Sequence, residues 1–435
     1  MEFSKQNILS RIADSDRYFI VNPLSGNADI LEAHEVEAIQ KGDATNQQEL
    51  VKKGYLVDTA EEEQLFKRKY LDFLDEREND EIQIFFAPWY TCNFSCSYCF
   101  QDEYRNPKTS TIAEVVDAFF RYVDKRFASR RKYLTLFGGE PLLNSPSRRQ
   151  AIAQFLESAR ERDLDVAIVT NGYHIVDFID IFKASRIREV QVTLDGPKNI
   201  HDARRMLRGG AGSFERITEG IDALLGNGIP VNLRVIVDKE NIEYLVELAR
   251  FAIRKTWTAN PLFKTALGRN YELHHCQTNS KRLFSRIEMY EKVYELIKNN
   301  PEILAFHKPA FSISKFIFEN GKLPNPLFDS CPGTKTEWAF DYTGRIYSCT
   351  ATVGNEGDEL GTFHPREALD EASVEEWEDR DVLSIKECTT CNLRLACGGG
   401  CAAVARTGAG KIQSPDCRPI TELLELGMGL YASDD

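Results

Sequence analysis

Nowhere in the 435 residues is there an apolar run long enough to cross a bilayer, so no membrane association is expected. The first twenty residues interleave Lys5, Arg11, Asp14, Asp16 and Arg17 with apolar ones, which argues against a secretory signal and for the cytoplasm. An excess of basic charge is also missing. Lys and Arg total 54 against 67 Asp and Glu, giving a net charge of −13 with no basic stripe. A duplex-binding protein needs cationic side chains to displace phosphate counterions, so nucleic acid is not an expected partner. The acidic excess keeps the chain soluble or favours basic substrates. Internal repeats and low-complexity tracts are absent too. What remains is an ordinary soluble composition, 42% hydrophobic and 28% charged, on a chain long enough for two or three domains.

Against this plain background stand eleven cysteines. Thiols of a reducing compartment are not expected to form disulfides, which leaves metal ligation or catalysis. They are also grouped. Three lie within Cys92–Cys99, seven lie between Cys331 and Cys417, and Cys276 stands alone.

The order of the chain sets these groups in context. Residues 1–80 read as a small α+β module. In it, Tyr18–Val21 and Ala28–Leu31 flank a turn-rich run as a hairpin, helical patches follow near 32–41 and 46–53, and a charged helix spans Glu61–Asp80. Apolar strands are then expected at Ile82–Ala87, Tyr133–Phe137, Val166–Thr170, Val190–Leu194, Val231–Val237 and Leu262–Leu267. Helices are expected between them at Thr111–Ala128, Arg148–Arg162, Val176–Ala184, Phe214–Gly226 and Tyr244–Arg254, with another at Leu283–Lys298. Fully apolar strands alternating with amphipathic helices indicate a parallel sheet. Six such units make a partial (β/α)6 barrel over residues 81–305, whose chemistry belongs at the C-terminal ends of its strands. Residues 306–435 have short strands, more Gly and Pro, and most of the cysteines, so metal is expected to supply part of their folding energy.

Three thiolates in the short loop Cys92, Cys96, Cys99, directly after the first barrel strand, can hold three corners of a four-iron cluster and leave one iron open. A zinc site would need a fourth Cys or His close by. The spacing and position resemble the signature of radical S-adenosylmethionine (SAM) enzymes. The resemblance implies that the open iron chelates the amino and carboxylate groups of SAM. A reduced cluster then cleaves the sulfonium to give methionine and a 5′-deoxyadenosyl radical that abstracts hydrogen from substrate. An electron donor such as flavodoxin or ferredoxin is implied as a partner. Phe137-Gly138-Gly139-Glu140-Pro141 at the end of strand two looks like the family's Gly-Gly-Glu segment. There the glycines would let backbone approach the ligand and Glu140 would accept from the cofactor's ammonium. Thr170-Asn171-Gly172 ends strand three. Thr193-Leu194-Asp195-Gly196-Pro197 and His201-Asp202-Ala203-Arg204-Arg205 follow strand four. By resemblance Thr193 and Asp195 face cofactor hydroxyls and Arg205 clamps its carboxylate, with Arg234 in strand five a second candidate for the clamp or else a structural ion pair. His201 reads equally as a capping residue, and no catalytic residue is assigned.

The C-terminal array is a second signature. Cys331 is followed by Gly344 and Cys349, then by Cys388, Cys391, Cys397 and Cys401 with two, five and three residues between them, and last by Cys417. It resembles the SPASM domain, an extension of radical SAM enzymes that act largely on peptides. A zinc ribbon is the alternative for the Cys388–Cys391 pair. By resemblance Cys388, Cys391, Cys397 and Cys417 hold an outer auxiliary 4Fe-4S cluster. Cys331, Cys349 and Cys401 hold an inner one whose fourth ligand is Cys276, substrate or solvent. Sulfatase-maturing members place an acidic base where this chain has Thr350, which argues against that activity. The resemblance as a whole implies an oxidoreductase that modifies a precursor peptide, installing a thioether or carbon–carbon cross-link. It implies three 4Fe-4S clusters and SAM, and residues 1–80 become either a winged-helix-like element for the precursor's leader or a cap on the barrel. A radical dehydrogenase of a small alcohol and a zinc-binding interaction protein are the other readings.

Overall fold

The computed structural model describes residues 1–41, 47–99, 101, 111–270 and 281–432. Cys276 and its expected role lie outside the described residues.

The N-terminal segment opens with β1 (Glu2–Phe3), β2 (Ile8–Arg11), β3 (Tyr18–Asn22) and β4 (Asn27–Leu31), followed by α1 (Ala33–Lys41), α2 (Gln47–Lys52), β5 (Leu56–Val57) and α3 (Thr59–Asn79). Strands β2, β3 and β4 form an antiparallel sheet, with the expected hairpin between β3 and β4. Asp58 caps α3, its carboxylate accepting from the N–H groups of Ala60 and Glu61. No residue of α3 is fully buried. Its apolar side chains instead rest on the C-terminal domain, where Phe66, Tyr70 and Phe73 surround the Phe328 ring at centroid distances of 5.1, 5.3 and 5.5 Å. The sheet does the same, Ile8, Phe19 and Val21 packing with Cys397, Leu424 and Met428.

The barrel follows as β6 (Ile82–Ala87), α4 (Ile112–Arg126), β7 (Lys132–Leu136), α5 (Pro146–Arg160), β8 (Val166–Thr170), α6 (Ile175–Lys183) and β9 (Ile187–Thr193). It continues through α7 (Lys198–Arg204), α8 (Phe214–Gly226), β10 (Val231–Val237), α9 (Leu245–Arg254), β11 (Phe263–Arg269) and α10 (Arg286–Asn299). Strands β6 to β11 are parallel neighbours in chain order. This is a partial (β/α)6 barrel, as the alternation predicts. In β6 the pleat divides its residues: Ile82, Ile84 and Phe86 are fully buried, while Gln83 and Phe85 are half-buried and line the lumen. Phe86 meets Phe119 of α4 and Phe155 of α5 at 4.7 and 5.4 Å, the centre of the main core. Helix α4 reaches that core because Val115, Val116, Phe119, Phe120 and Val123 recur on one face.

The sheet continues past the barrel. Strand β12 (Glu337–Asp341) lies parallel to β6, pairing Glu337 with Gln83 and Asp341 with Ala87. Strands β13 (Arg345–Tyr347), β14 (Glu359–Thr362) and β15 (Ala368–Leu369) then extend it in antiparallel fashion to ten strands. Gly344 turns the β12–β13 hairpin with a positive φ of 86°, and a Cβ there would strike the His364 backbone. No helix among the described residues is long and apolar enough to cross a membrane.

Candidate active site

A cavity of about 450 Å³ opens at the C-terminal ends of the barrel strands. That is within the range of small-ligand sites. Cys92, Cys96 and Cys99 line one side of it.

The cysteine loop is strapped down by a segment the motif reading passed over. Ser95 N–H donates to the Met206 carbonyl at 2.9 Å, Ser97 N–H to Arg204 at 3.1 Å, and Arg208 N–H to Asn93 at 2.9 Å. Arg208 Nε adds a bond of 3.0 Å to the Cys92 carbonyl. Residues 204–208, just past α7, therefore hold the loop by its backbone, leaving its thiols to the cavity. The Gly138–Gly139 pair presses on the same loop. A Cβ on Gly138 would lie 2.8 Å from the Ala87 Cβ, and one on Gly139 would run into the Tyr90 and Thr91 carbonyls. Close backbone approach is what these glycines supply, and the neighbour they approach is the stem of the cysteine loop.

Glu140 stands behind the wall, 1% exposed. Its Oε1 accepts from the Thr170 hydroxyl at 2.6 Å and from Leu142 N–H at 2.8 Å, and its Oε2 accepts from Asn171 N–H at 2.6 Å. Burial pushes its pKa up to about 6 against the pull of those donors. Asn171 reaches the cavity, its amide donating to Asn93 Oδ1 at 2.8 Å with Cys92 Sγ at 3.8 Å. Gly138, Gly139, Asn171, Thr193, Arg205 and Arg234 are brought to the cavity wall together with the three thiols. Glu140, Pro141 and Asp195 are not among the residues that line it.

Asp195 is committed elsewhere. Tyr98 donates its hydroxyl to Oδ2, Ile236 N–H donates to Oδ1 at 3.0 Å, and Arg204 Nε lies 3.5 Å from Oδ2. Arg204 in turn grips Asp238 at 2.9 and 3.1 Å, and Arg282 Nε donates to Asp238 at 2.6 Å. This buried network ties the end of β9 to Tyr98, inside the cysteine loop. The resemblance singled out Arg205 and gave Arg204 no role, without showing what separates the two. The structure does: Arg205 donates one bond of 2.6 Å to the Tyr98 hydroxyl, and its buried Nε has no partner. Asn93 Nδ2 is likewise buried without an acceptor. Orphaned donors beside an open cavity suit an anionic ligand. The Arg234 side chain is exposed to the cavity and makes no hydrogen bond or ion pair among the described residues, so its place in an apolar strand does not rest on a structural salt bridge. His201 is fully buried. Asp195 N–H donates to its Nδ1 at 3.1 Å, so Nε2 carries the proton and faces Ser213 Oγ at 3.1 Å.

The thiols group by mutual influence. Burial and then the Glu140 carboxylate, with smaller contributions from Cys96 and Cys99, raise the Cys92 thiol to about 12. Burial, Glu337, Cys331 and Cys401 raise Cys349. Burial and then Cys397, Cys391 and Cys417 raise Cys388 to about 11. The seven C-terminal thiols thus form a set of three and a set of four, joined through Cys397-Gly398-Gly399-Gly400-Cys401, whose glycines all have positive φ. Among the described residues no three Cys, His, Asp or Glu side chains converge on one metal-ion position. A four-iron cluster asks for something else, since each thiolate takes its own iron. Thr350 and Ala351, next to Cys349, line the same cavity as the Cys92 loop.

Residues 87–252 match the Radical SAM superfamily. The chain carries a radical SAM domain. Over 170 residues it is 31% identical to the serine-type anaerobic sulfatase-maturating enzyme of Bacteroides thetaiotaomicron, covering 37% of this chain and 40% of that enzyme. The chain spans less than half the length of the first curated relatives it matches. Its fold is also that of native anSMEcpe with bound AdoMet, with a TM-score of 0.62 at 17% identity over 81% of this chain and 98% of the other. Streptococcus suis SuiB bound to its precursor peptide SuiA matches with a TM-score of 0.52 at 16% identity, over 96% of this chain and 98% of that one. The family match and the fold of these neighbours agree with the partial barrel expected from the motifs.

Proposed function

We propose that this radical SAM protein is a peptide maturase, an oxidoreductase that uses one catalytic and two auxiliary 4Fe-4S clusters and SAM to modify a residue of a precursor peptide. The observation that carries this reading is the shared cavity: the Cys92–Cys99 loop and the Thr350–Ala351 segment beside Cys349 face one chamber. The neighbours in fold include enzymes solved with peptides, anSMEcpe with a Cp18Cys peptide and SuiB with SuiA. A peptide residue entering this chamber would lie between the catalytic loop and the inner thiols.

The residues present fit the group. Cys92, Cys96 and Cys99, half-buried on one wall of the cavity, would hold three irons of the catalytic cluster. When bound, cluster and SAM together supply one-electron cleavage of the sulfonium and abstraction of a substrate hydrogen atom. Arg205, with its unpartnered Nε, would hold the SAM carboxylate, and Arg234 is the second cation within the same wall. Thr193 and Asn171 offer a hydroxyl and an amide to the ligand's polar groups. Glu140, Pro141 and Asp195 act from behind, fixing the strand ends that carry those contacts. The outer set Cys388, Cys391, Cys397 and Cys417 and the inner set Cys331, Cys349 and Cys401 hold the auxiliary clusters, and flavodoxin or ferredoxin supplies electrons.

Anaerobic reconstitution tests the reading. Changing Cys92, Cys96 and Cys99 together to Ala should remove about four irons per chain and all SAM cleavage. A triple variant that still cleaved SAM would sink the assignment of the loop. Incubation with the peptide encoded beside this gene should change its mass at a single residue by fragment mass spectrometry. An unmodified peptide with consumption of a small alcohol instead would replace the peptide reading by a dehydrogenase.

A further inference from the structure

Two buried cations and one buried carboxylate sit where the inner and outer thiol sets meet. The side chains of Asp329, Lys335 and Arg380 are 2%, 3% and 0% exposed. Lys335 Nζ pairs with Asp329 Oδ2 and donates to the Arg380 carbonyl at 2.9 Å and the Cys331 carbonyl at 3.4 Å. Asp329 Oδ1 accepts the Cys331 N–H at 2.9 Å. Arg380 spends its guanidinium on backbone: Nε donates to Ile412, Nη1 to Gly400, and Nη2 to Gly399 and Ser414, all within 3.0 Å. Gly399 and Gly400 belong to the glycine tether between Cys397 and Cys401, so Arg380 grips the link between the two sets while Lys335 grips the chain at Cys331.

The group carries two positive charges and one negative, and all three are out of water. Four carbonyls stabilise Arg380, but among the described residues no further carboxylate is bonded to the group to match its net excess of one positive charge. Excess charge in a low-dielectric interior is costly unless a counter-charge is near. An iron–sulfur cluster with thiolate ligands is anionic, and it becomes more so on reduction.

We propose that the buried Asp329–Lys335–Arg380 group sets the reduction potential of the inner iron–sulfur site, with Lys335 as the fixed charge that favours its reduced state. The inference rests on the reading of Cys331, Cys349 and Cys401 as cluster ligands. Its physical basis is Coulombic, because a cation held near the cluster without water between them lowers the energy of the added electron. Glu337 is the carboxylate on the Cys349 side, its Oε1 accepting the Thr350 N–H at 2.8 Å, and it is left in place in each variant below.

A charge ladder tests it in the full, anaerobically reconstituted chain. The inner site's resonance is identified as the one lost in Cys349→Ala, and its midpoint is followed by EPR-monitored redox titration at pH 8. Lys335→Met removes one positive charge and should make the site about tenfold harder to reduce at fixed potential, roughly 59 mV for one electron. Asp329→Asn, whose amide oxygen can still accept from Cys331 N–H, should shift the midpoint the other way. If Lys335→Met fails to load iron, Asp329→Asn and the charge-keeping Lys335→Arg decide the matter, the first moving the midpoint upward and the second leaving it in place. Unmoved midpoints in both Lys335→Met and Asp329→Asn, with the inner resonance intact, would make the group a purely structural cross-link. A wild-type protein without any resonance sensitive to Cys349→Ala would instead remove the inner cluster itself, and iron content would show that directly.

Discussion

Glu140 joins two barrel strands at their C-terminal ends, its Oε2 accepting the Asn171 backbone N–H at 2.6 Å. The bond ties the glycine pair that supports the cysteine loop to the asparagine that reaches Cys92. Its carboxyl, raised by burial to about 6 from 4.5, binds its proton more tightly in the folded chain. The stabilisation is therefore complete below pH 4.5 and is lost as pH rises through 6, an amount of about 2 kcal/mol. Glu140→Gln should remove that slope in urea unfolding between pH 4.5 and 6. It should also lower the baseline stability, because one donor loses its acceptor. A slope equal to the wild type's would mean the carboxyl is not desolvated.

His201 works in the opposite direction. Burial first, then the cations Arg205 and Arg204, holds its pKa well below 6.5. Its contribution is present above pH 6.5 and is lost as pH falls below that value, by about 1.4 kcal/mol per pH unit. His201→Gln, which can still accept from Asp195 and donate to Ser213, should flatten the acid limb of the unfolding curve while SAM binding persists. Loss of SAM binding with an unchanged acid limb would give His201 a role in the ligand site instead.

Gly139→Ala should act on the catalytic loop alone. The new Cβ meets the Tyr90 and Thr91 carbonyls, and relieving the clash must move the stem of Cys92 at a cost of about 1–3 kcal/mol. Iron should fall by about four per chain, with the C-terminal clusters retained. Full iron and normal SAM cleavage would show that the stem yields without strain.

The N-terminal module packs its aromatic side chains on the cysteine-rich domain, while Asp14 bonds Tyr294 and Lys298 of the barrel helix α10. Phe328→Ala empties the centre of that contact and should cost about 3–5 kcal/mol, exposing the chain before residue 80 to limited proteolysis. Since Leu24 and Cys388 belong to the same apolar cluster, deletion of residues 1–80 should also weaken iron retention by the outer set. Precursor binding lost on deletion therefore reports on leader recognition only if all C-terminal iron is still present.

The barrel was legible because its signals are periodic. Strands β6, β8 and β10 and helix α8 fall at the expected bounds, and the other expected barrel elements differ by one to three residues at their ends. Strand β2 was not, since Ile-Leu-Ser-Arg is too short to show a period. The strap over residues 204–208 was invisible for a different reason: it holds the cysteine loop through backbone groups, which every residue carries. Arg204 and Arg205 are adjacent and chemically identical, and only the third dimension sends one to Asp238 and the other to Tyr98. Strand β12 has an ordinary apolar pattern, but its parallel pairing with β6 joins positions 254 residues apart, which no local pattern records.

That pairing has a bearing on how the chain can be dissected. With β12 gone, the N–H and C=O groups of β6 that it now satisfies would face solvent between Gln83 and Ala87, beside Phe85 and Phe86. An exposed apolar border of this kind templates association with other chains. A fragment ending near residue 305 should thus be recovered as aggregates, and one carried through residue 341 or beyond has the strand that shields it.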